Sequence, residues 1–145
     1  GFRTLCVGAY FGDEALIANA VCETQVEMIS SGCVARLKAE DFHRYLKSSF
    51  IRRINESQVS LMPSNAYVIL DVRFPTEFKM HHHPNAINIP IGSLTKRLKE
   101  IPPHRTVVLA SENGSRGDLA AYILTRHRIK PLVMMQAGHT IASTA

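Results

Sequence analysis

The chain has 145 residues, 46% of them hydrophobic and 20% charged, which are the proportions of a globular domain rather than a disordered segment. No apolar run reaches the roughly 18 residues needed to cross a bilayer, so we expect no membrane insertion. The net charge of +5 arises entirely in residues 61–145, which carry ten basic and five acidic side chains but lack the basic, aromatic-interleaved runs typical of nucleic-acid binding.

The N-terminal part of the chain contains all of its cysteines, and it shows no targeting signal. The N-terminus lacks the layout of a signal peptide and does not begin with Met, so we expect a segment of a longer cytoplasmic protein. Cys6, Cys22 and Cys33 are odd in number and form no CxxC pair. We therefore expect free, buried thiols, and neither a disulfide framework nor a zinc site.

Residues 1–60 are predicted to contain short strands followed by a helix. Apolar stretches at residues 5–7 and 33–37, separated by glycines, predict strands and turns. From Ala39 to about Asn55, apolar residues recur at a spacing of four and predict one amphipathic connecting helix. They are Phe42, Leu46, Phe50 and Ile54. Residues 56–60 complete the linker.

From residue 67 onward, predicted strands alternate with predicted helices. The strands are residues 67–72, 86–89, 106–110 and 132–135. Ser93 is the expected N-cap of one helix, and a second helix, carrying Leu119, Tyr122 and Ile123, follows Arg116. Alternation of this kind predicts an α/β fold with a mostly parallel sheet flanked by helices.

The loop after the strand at residues 106–110 is the best candidate for chemistry. It consists of Ser111, Glu112, Asn113, Gly114, Ser115 and Arg116. In α/β folds, ligands bind where strands lead into helix N-termini, whose backbone N–H groups are unpaired. Gly114 permits tight curvature and Arg116 adds a cation. We predict a cradle for a small anion or an acidic protein partner, although such residues are also ordinary in strand-to-helix turns.

The order of motifs from residue 61 to residue 145 resembles the rhodanese family. The family's strand ending in Asp-Val-Arg falls on Asp71 and Arg73, its Glu-Tyr/Phe pair falls on residues 77–78, its structural His on His82, and its Asn-Ile-Pro stop on residues 88–90. The active loop follows the next strand, and the late Gly-Gly turn falls on residues 137–138. The resemblance implies a sulfurtransferase fold in which Asp71 and Arg73 support the loop.

The same resemblance places a serine at the family's catalytic position. Rhodaneses carry a sulfane sulfur as a cysteine persulfide, and this position falls on Ser111, with no cysteine after residue 33. A hydroxyl cannot hold a persulfide. Three interpretations remain open: an inactive homologue used for binding or regulation, a sulfurtransferase whose native cysteine has been replaced, or a serine nucleophile in other chemistry.

A second resemblance concerns the first 50 residues or so. The run Phe-Gly-Asp-Glu-Ala-Leu at residues 11–16 is similar to the phosphate-binding cassette of cyclic-nucleotide-binding domains. The resemblance assigns nucleotide binding to Gly12, Asp13 and Glu14. The family's phosphate-binding Arg falls on Cys22, which removes a charge-assisted contact. We therefore expect no cyclic-nucleotide binding, and predict a remnant that packs on the second domain or mediates dimerisation.

The sequence thus predicts three segments and no resident cofactor or metal. Residues 1–38 are a partial β-roll, residues 39–60 a connecting helix and linker, and residues 61–145 a rhodanese-like domain. Three consecutive histidines at residues 81–83 suggest a metal site, but neighbours on an extended chain point to opposite faces. The predicted function is a binding or regulatory module, with a sulfurtransferase or a cyclic-nucleotide sensor as alternatives.

Overall fold

A five-stranded parallel sheet organises the part of the chain that the computed structural model describes, which is residues 2–110 and 114–135. The strands are β1 (Arg52–Asn55), β2 (Tyr67–Asp71), β3 (Ile87–Asn88), β4 (Thr106–Ala110) and β5 (Leu132–Met135). Their order across the sheet is β1-β5-β4-β2-β3, and every pair is parallel. The α/β fold with a parallel sheet flanked by helices is confirmed.

Short helices surround this sheet, with one longer helix after β4. They are α1 (Asp13–Ala18), α2 (Ala39–Asp41), α3 (Lys47–Phe50), α4 (Glu56–Ser60), α5 (Pro75–Met80), α6 (Leu94–Arg97) and α7 (Gly114–Arg126). A π-helical turn, Phe42–Leu46, joins α2 to α3, and 3-10 turns flank α6. Ser93 precedes α6 as predicted but forms no side-chain capping hydrogen bond. No helix in the described ranges is long and apolar enough to cross a membrane.

The central strands are buried on both faces because successive side chains point to opposite sides of the sheet. Leu70 and Leu109 face the larger apolar cluster, together with Tyr122 of α7. Ile69 and Val108 face a smaller cluster on the other side. The uninterrupted apolar runs of β2 and β4 therefore serve two cores at once, which is why they show no alternation in sequence.

The connecting helix begins where it was predicted to begin, but it ends earlier than predicted. Helical structure begins at Ala39 but stops at Phe50, and Arg52–Asn55 form β1 instead. β1 is an edge strand in which Ile54 pairs with Met134 of β5. The spacing of Ile54 fits a helix, but pairing with β5 satisfies the backbone groups of this segment and half-buries Ile54, so tertiary contact overrides the local pattern.

The strands predicted in the first 38 residues do not form. Within residues 2–38, α1 is the one regular element, and residues 5–7 and 33–37 are irregular. Ile17 of α1 is fully buried in the larger core cluster, whereas all three cysteines are exposed free thiols. The expectation of buried thiols was wrong because this segment has no paired strands to cover them.

Candidate functional site

The parallel register places the end of β4, which precedes the predicted loop, beside the end of β2. β4 ends at Ala110, whose partner across the ladder is Asp71, and α7 begins at Gly114. The end of β4 therefore lies at the carboxyl edge of the sheet, where ligands bind in open α/β folds. Three of the predicted loop residues, Ser111, Glu112 and Asn113, lie outside the described residues.

A buried ion pair lies at the end of β2. The Arg73 backbone N–H donates to Asp71 Oδ1 at 2.9 Å, and Arg73 Nε and Nη2 donate to Asp71 Oδ2 at 3.1 and 2.7 Å. The side chains of Asp71 and Arg73 are 0% and 8% exposed. Charge-assisted bonds at such burial are strong and little screened by salt. The two residues predicted to support the loop are thus brought together as a neutral, rigid unit.

Neighbouring backbone groups extend this unit across three elements. Asn88 of β3 donates from Nδ2 to the carbonyl oxygens of Asp71 and Arg73, at 3.1 and 3.0 Å. Arg73 Nη2 also donates to the carbonyl oxygen of His81, just after α5, at 2.6 Å. The turn that follows β2 is therefore held by hydrogen bonds from both sides.

Arg116, predicted as the loop cation, forms an ion pair with α5. Its Nη1 donates to Glu77 Oε2 at 2.8 Å and to Oε1 at 3.1 Å, and its guanidinium lies 5.2 Å from the centre of the Phe74 ring. The Phe74 backbone N–H donates to Glu77 Oε2 at 2.7 Å. This N–H group, and secondly Arg116, hold the pKa of the Glu77 carboxyl below its ordinary value of 4.5. The contact ties the first turn of α7 to α5.

The start of α7 is accessible. Gly114 is exposed, and a Cβ built on it would meet no described atom within 4 Å. Ser115 and Arg116 are half-buried. Nε and Nη2 of Arg116 have no hydrogen-bond partner within residues 2–110 and 114–135, because Nη1 alone bonds Glu77. The start of α7 and the Arg116 guanidinium therefore lie together at this edge of the sheet, where a helix N-terminus favours an anion.

The three consecutive histidines have different surroundings. His82 stacks on Phe78 with ring centroids 4.0 Å apart, and its Nδ1 lies 2.8 Å from the Phe78 carbonyl oxygen. His83 Nε2 is 3.7 Å from a carboxylate oxygen of Glu56. His81 contributes its carbonyl oxygen to Arg73, as described above. The segment thus has structural contacts at each position.

The residues assigned to nucleotide binding instead connect α1 to α7. Gly12 precedes α1 with φ of 81°, a conformation that glycine adopts readily. Asp13 accepts a hydrogen bond from the Tyr122 hydroxyl, and burial, followed by this bond, raises the pKa of Tyr122. Arg126 Nη1 lies 3.7 Å from Asp13 Oδ2 and 3.5 Å from Glu14 Oε1. These carboxylates bind side chains of the sheet domain.

Sequence reasoning missed the contribution of two residues, Glu77 and Asn88. Pro75 at the first position of a helix, with Glu two residues later, is a recognisable N-terminal signal that could have indicated the Phe74 contact. The ion pair of Glu77 with Arg116 spans 39 residues of sequence, and no local pattern indicates it.

Comparison with known proteins agrees with this architecture. The family model described as "Rhodanese-like domain" matches residues 54–141. A probable molybdopterin-synthase adenylyltransferase of Gracilaria tenuistipitata var. liui is 31% identical over 61% of this chain and 26% of its own length. The putative sulfur carrier protein YrkF of Bacillus subtilis (strain 168) is 29% identical over 48% of this chain and 38% of its own length. The chain therefore spans about a quarter to just over half of the length of the curated relatives it matches.

A solved structure is also similar to part of this chain. Reduced CoADR-RHD of Bacillus anthracis superposes with a TM-score of 0.55 at 28% identity, covering 60% of this chain and 16% of its own. The family match does not extend to residues 1–38, so the resemblance of that segment to a cyclic-nucleotide-binding roll is not supported. The residues that match the family model include strands β2 to β5 and all of residues 111–116. This chain belongs to the rhodanese-like domain family.

Proposed function

We propose that this chain is a rhodanese-fold binding module that holds a small anion, or an acidic group of a protein partner, at the loop between β4 and α7 without transferring sulfur. The observation that carries the proposal is the serine directly after β4, the position where rhodaneses have their persulfide cysteine. Sulfur transfer requires a thiolate that attacks the sulfane sulfur, forms an S–S bond and releases sulfite. The Ser111 hydroxyl cannot form a persulfide, so it cannot carry the sulfur.

The surroundings of the loop support binding without catalysis. The Asp71–Arg73 pair, the Asn88 bonds and the Arg116–Glu77 contact hold the scaffold rigidly, although no nucleophilic thiol needs positioning. Because Arg73 and Arg116 are each paired with a carboxylate, the loop has little net charge from these side chains. Recognition then depends on backbone N–H groups at the start of α7 and on the remaining donors of Arg116.

A second candidate is a sulfurtransferase whose native cysteine has been replaced at position 111. Similarity to two relatives, a putative sulfur carrier protein and a probable molybdopterin-synthase adenylyltransferase, favours it. A cysteine codon at position 111 in the gene would select this candidate. For either function we propose a cytoplasmic location, because exposed, unpaired thiols persist in a reducing compartment.

Thiosulfate–cyanide turnover by the Ser111→Cys variant tests the scaffold. The wild-type chain should produce no thiocyanate, whereas Ser111→Cys should gain turnover because the cradle stabilises a thiolate. Ser115→Cys is the matched control, since it adds a thiol four residues further along and should remain inactive. Turnover by the wild-type chain would contradict the proposal, and equal activity of the two variants would contradict a specific cradle.

Binding is tested by titrating ¹⁵N-labelled wild-type protein with thiosulfate. Amide resonances of Gly114, Ser115 and Arg116 should shift in a saturable way, and Arg116→Met should weaken binding. Arg105→Met removes an exposed cation elsewhere and should leave the affinity unchanged. Shifts spread over the basic surface, or equal effects of both substitutions, would mean that the loop is not the site.

A further inference from the structure

A basic cleft lies away from the loop, between β1 and the helical segment before it. Its lining residues are His43, Lys47, Ser48, Ile51 and Arg53. It opens to solvent and has a volume of about 460 Å³, within the range of small-molecule sites. Four of the five lining side chains carry a hydrogen-bonding group, so the cleft can form hydrogen bonds with a polar ligand.

The two cations of this cleft converge on one buried carboxylate. Lys47 Nζ lies 3.1 Å from Asp118 Oδ2, and Arg53 Nη2 donates to both carboxylate oxygens at 2.8 and 3.0 Å. The Asp118 side chain is 4% exposed, whereas those of Lys47 and Arg53 are 27% and 35% exposed. One negative charge therefore orients two positive ones, and a net positive charge remains at the surface of the cleft.

Donors remain available on both cations. Arg53 uses only Nη2 for Asp118, and its Nε and Nη1 have no hydrogen-bond partner among the described residues. The Lys47 ammonium has three donors, one of which points to Asp118. The Ser48 hydroxyl is exposed beside them. An anchored guanidinium with free N–H groups loses little entropy on binding a tetrahedral oxyanion.

The backbone at this cleft is also unusual. In the π-helical turn Phe42–Leu46, the Lys47 N–H donates to the Phe42 carbonyl oxygen five residues earlier. Phe42 is buried in the core while its neighbour His43 lines the cleft. Single π-helical turns are rare and are found frequently at functional sites. The turn lies directly before Lys47 and Ser48, which line the cleft together with His43.

We propose that this cleft binds a phosphate monoester of a small molecule, with Arg53 and Lys47 holding the phosphate and Ser48 and His43 completing its contacts. A phosphate dianion matches two cations that share a single carboxylate, and the volume beyond the phosphate accommodates the organic group. The site is separate from the loop after β4, because no lining residue belongs to that loop.

The test is an NMR titration of the ¹⁵N-labelled chain with two probes, inorganic phosphate and phenyl phosphate. Both should shift amides of residues 43–53 saturably, and phenyl phosphate should bind more tightly because the cleft is larger than a phosphate ion. Ser48→Glu places a negative charge in the cleft without touching the Asp118 contacts, and should weaken binding by tenfold or more, equivalent to about 1.4 kcal/mol.

Two further variants distinguish binding in the cleft from a general effect of removing positive charge. Lys47→Met should weaken phenyl phosphate binding, whereas Lys96→Met removes an equally positive but exposed side chain of α6 and should not. Thermal unfolding verifies that each variant is folded. The proposal is overturned if neither probe shifts residues 43–53, if Ser48→Glu binds as the wild type does, or if the shifts concentrate at residues 114–116.

Discussion

Replacing Arg73 with methionine removes one partner of the buried ion pair and keeps a long, unbranched side chain. The change deletes the Nε and Nη2 bonds to Asp71 and the Nη2 bond to the His81 carbonyl oxygen, but retains the Arg73 backbone N–H bond to Asp71 at 2.9 Å. Leaving a buried charge without its partner costs about 3–5 kcal/mol. Since the retained N–H group offsets part of this loss, we expect about 3 kcal/mol, or about 10 °C in melting temperature.

Urea unfolding followed by circular dichroism measures this loss, with Arg97→Met as the matched control. Arg97 also donates through Nε and Nη2 to one carboxylate, that of Glu100, at 2.8 and 2.7 Å, but these side chains are 38% and 41% exposed. Exposed pairs contribute about 0–1 kcal/mol. Adding Asp71→Asn to Arg73→Met should recover stability, because no buried charge remains. Equal losses in the two single variants would refute the reasoning.

Two predictions concern titrating groups that the structure perturbs. Because the pKa of Glu77 is lowered by the Phe74 N–H group and by Arg116, its ionised form contributes stability above pH 4.5 that is lost as pH falls through the lower folded value. Glu77→Gln should therefore melt at a lower temperature than wild type at neutral pH and lose less on acidification; parallel melting curves against pH would contradict this. Burial, followed by the Asp13 bond, raises the pKa of Tyr122, so its hydroxyl should stay protonated in alkaline solution while the chain is folded. Ultraviolet titration of folded Tyr122→Phe should give the same phenolate signal as wild type, and a fall of about a quarter, one of four tyrosines, would show that Tyr122 ionises.

The sheet could be predicted from sequence because its central strands are buried on both faces. The runs at residues 106–110 and 132–135 were predicted with the observed bounds, since such runs between turn residues have few other interpretations. β1 could not be predicted in this way. Its polar sequence, Arg52–Asn55, becomes a strand only through pairing with β5, some 80 residues later.

The candidate site could likewise be predicted only in part. The positions of Asp71, Arg73, Gly114 and Arg116 followed from motifs, since each lies at the end of a strand or the start of a helix. Their partners did not follow. The acidic partner of Arg116 comes from α5, and Lys47, Arg53 and Asp118 meet from three different elements.

The sequence by itself determined the α/β class and the position of the loop along the chain, because these depend on local apolar patterns and on residue identity. Tertiary structure alone decided that the cations beside the loop are paired, that the first helix packs on α7, and that a basic cleft forms around Asp118. Ion pairs between distant segments depend on register and helix packing. The spacing of neighbouring residues indicates neither the register nor the packing, so these contacts can be identified only in the folded structure.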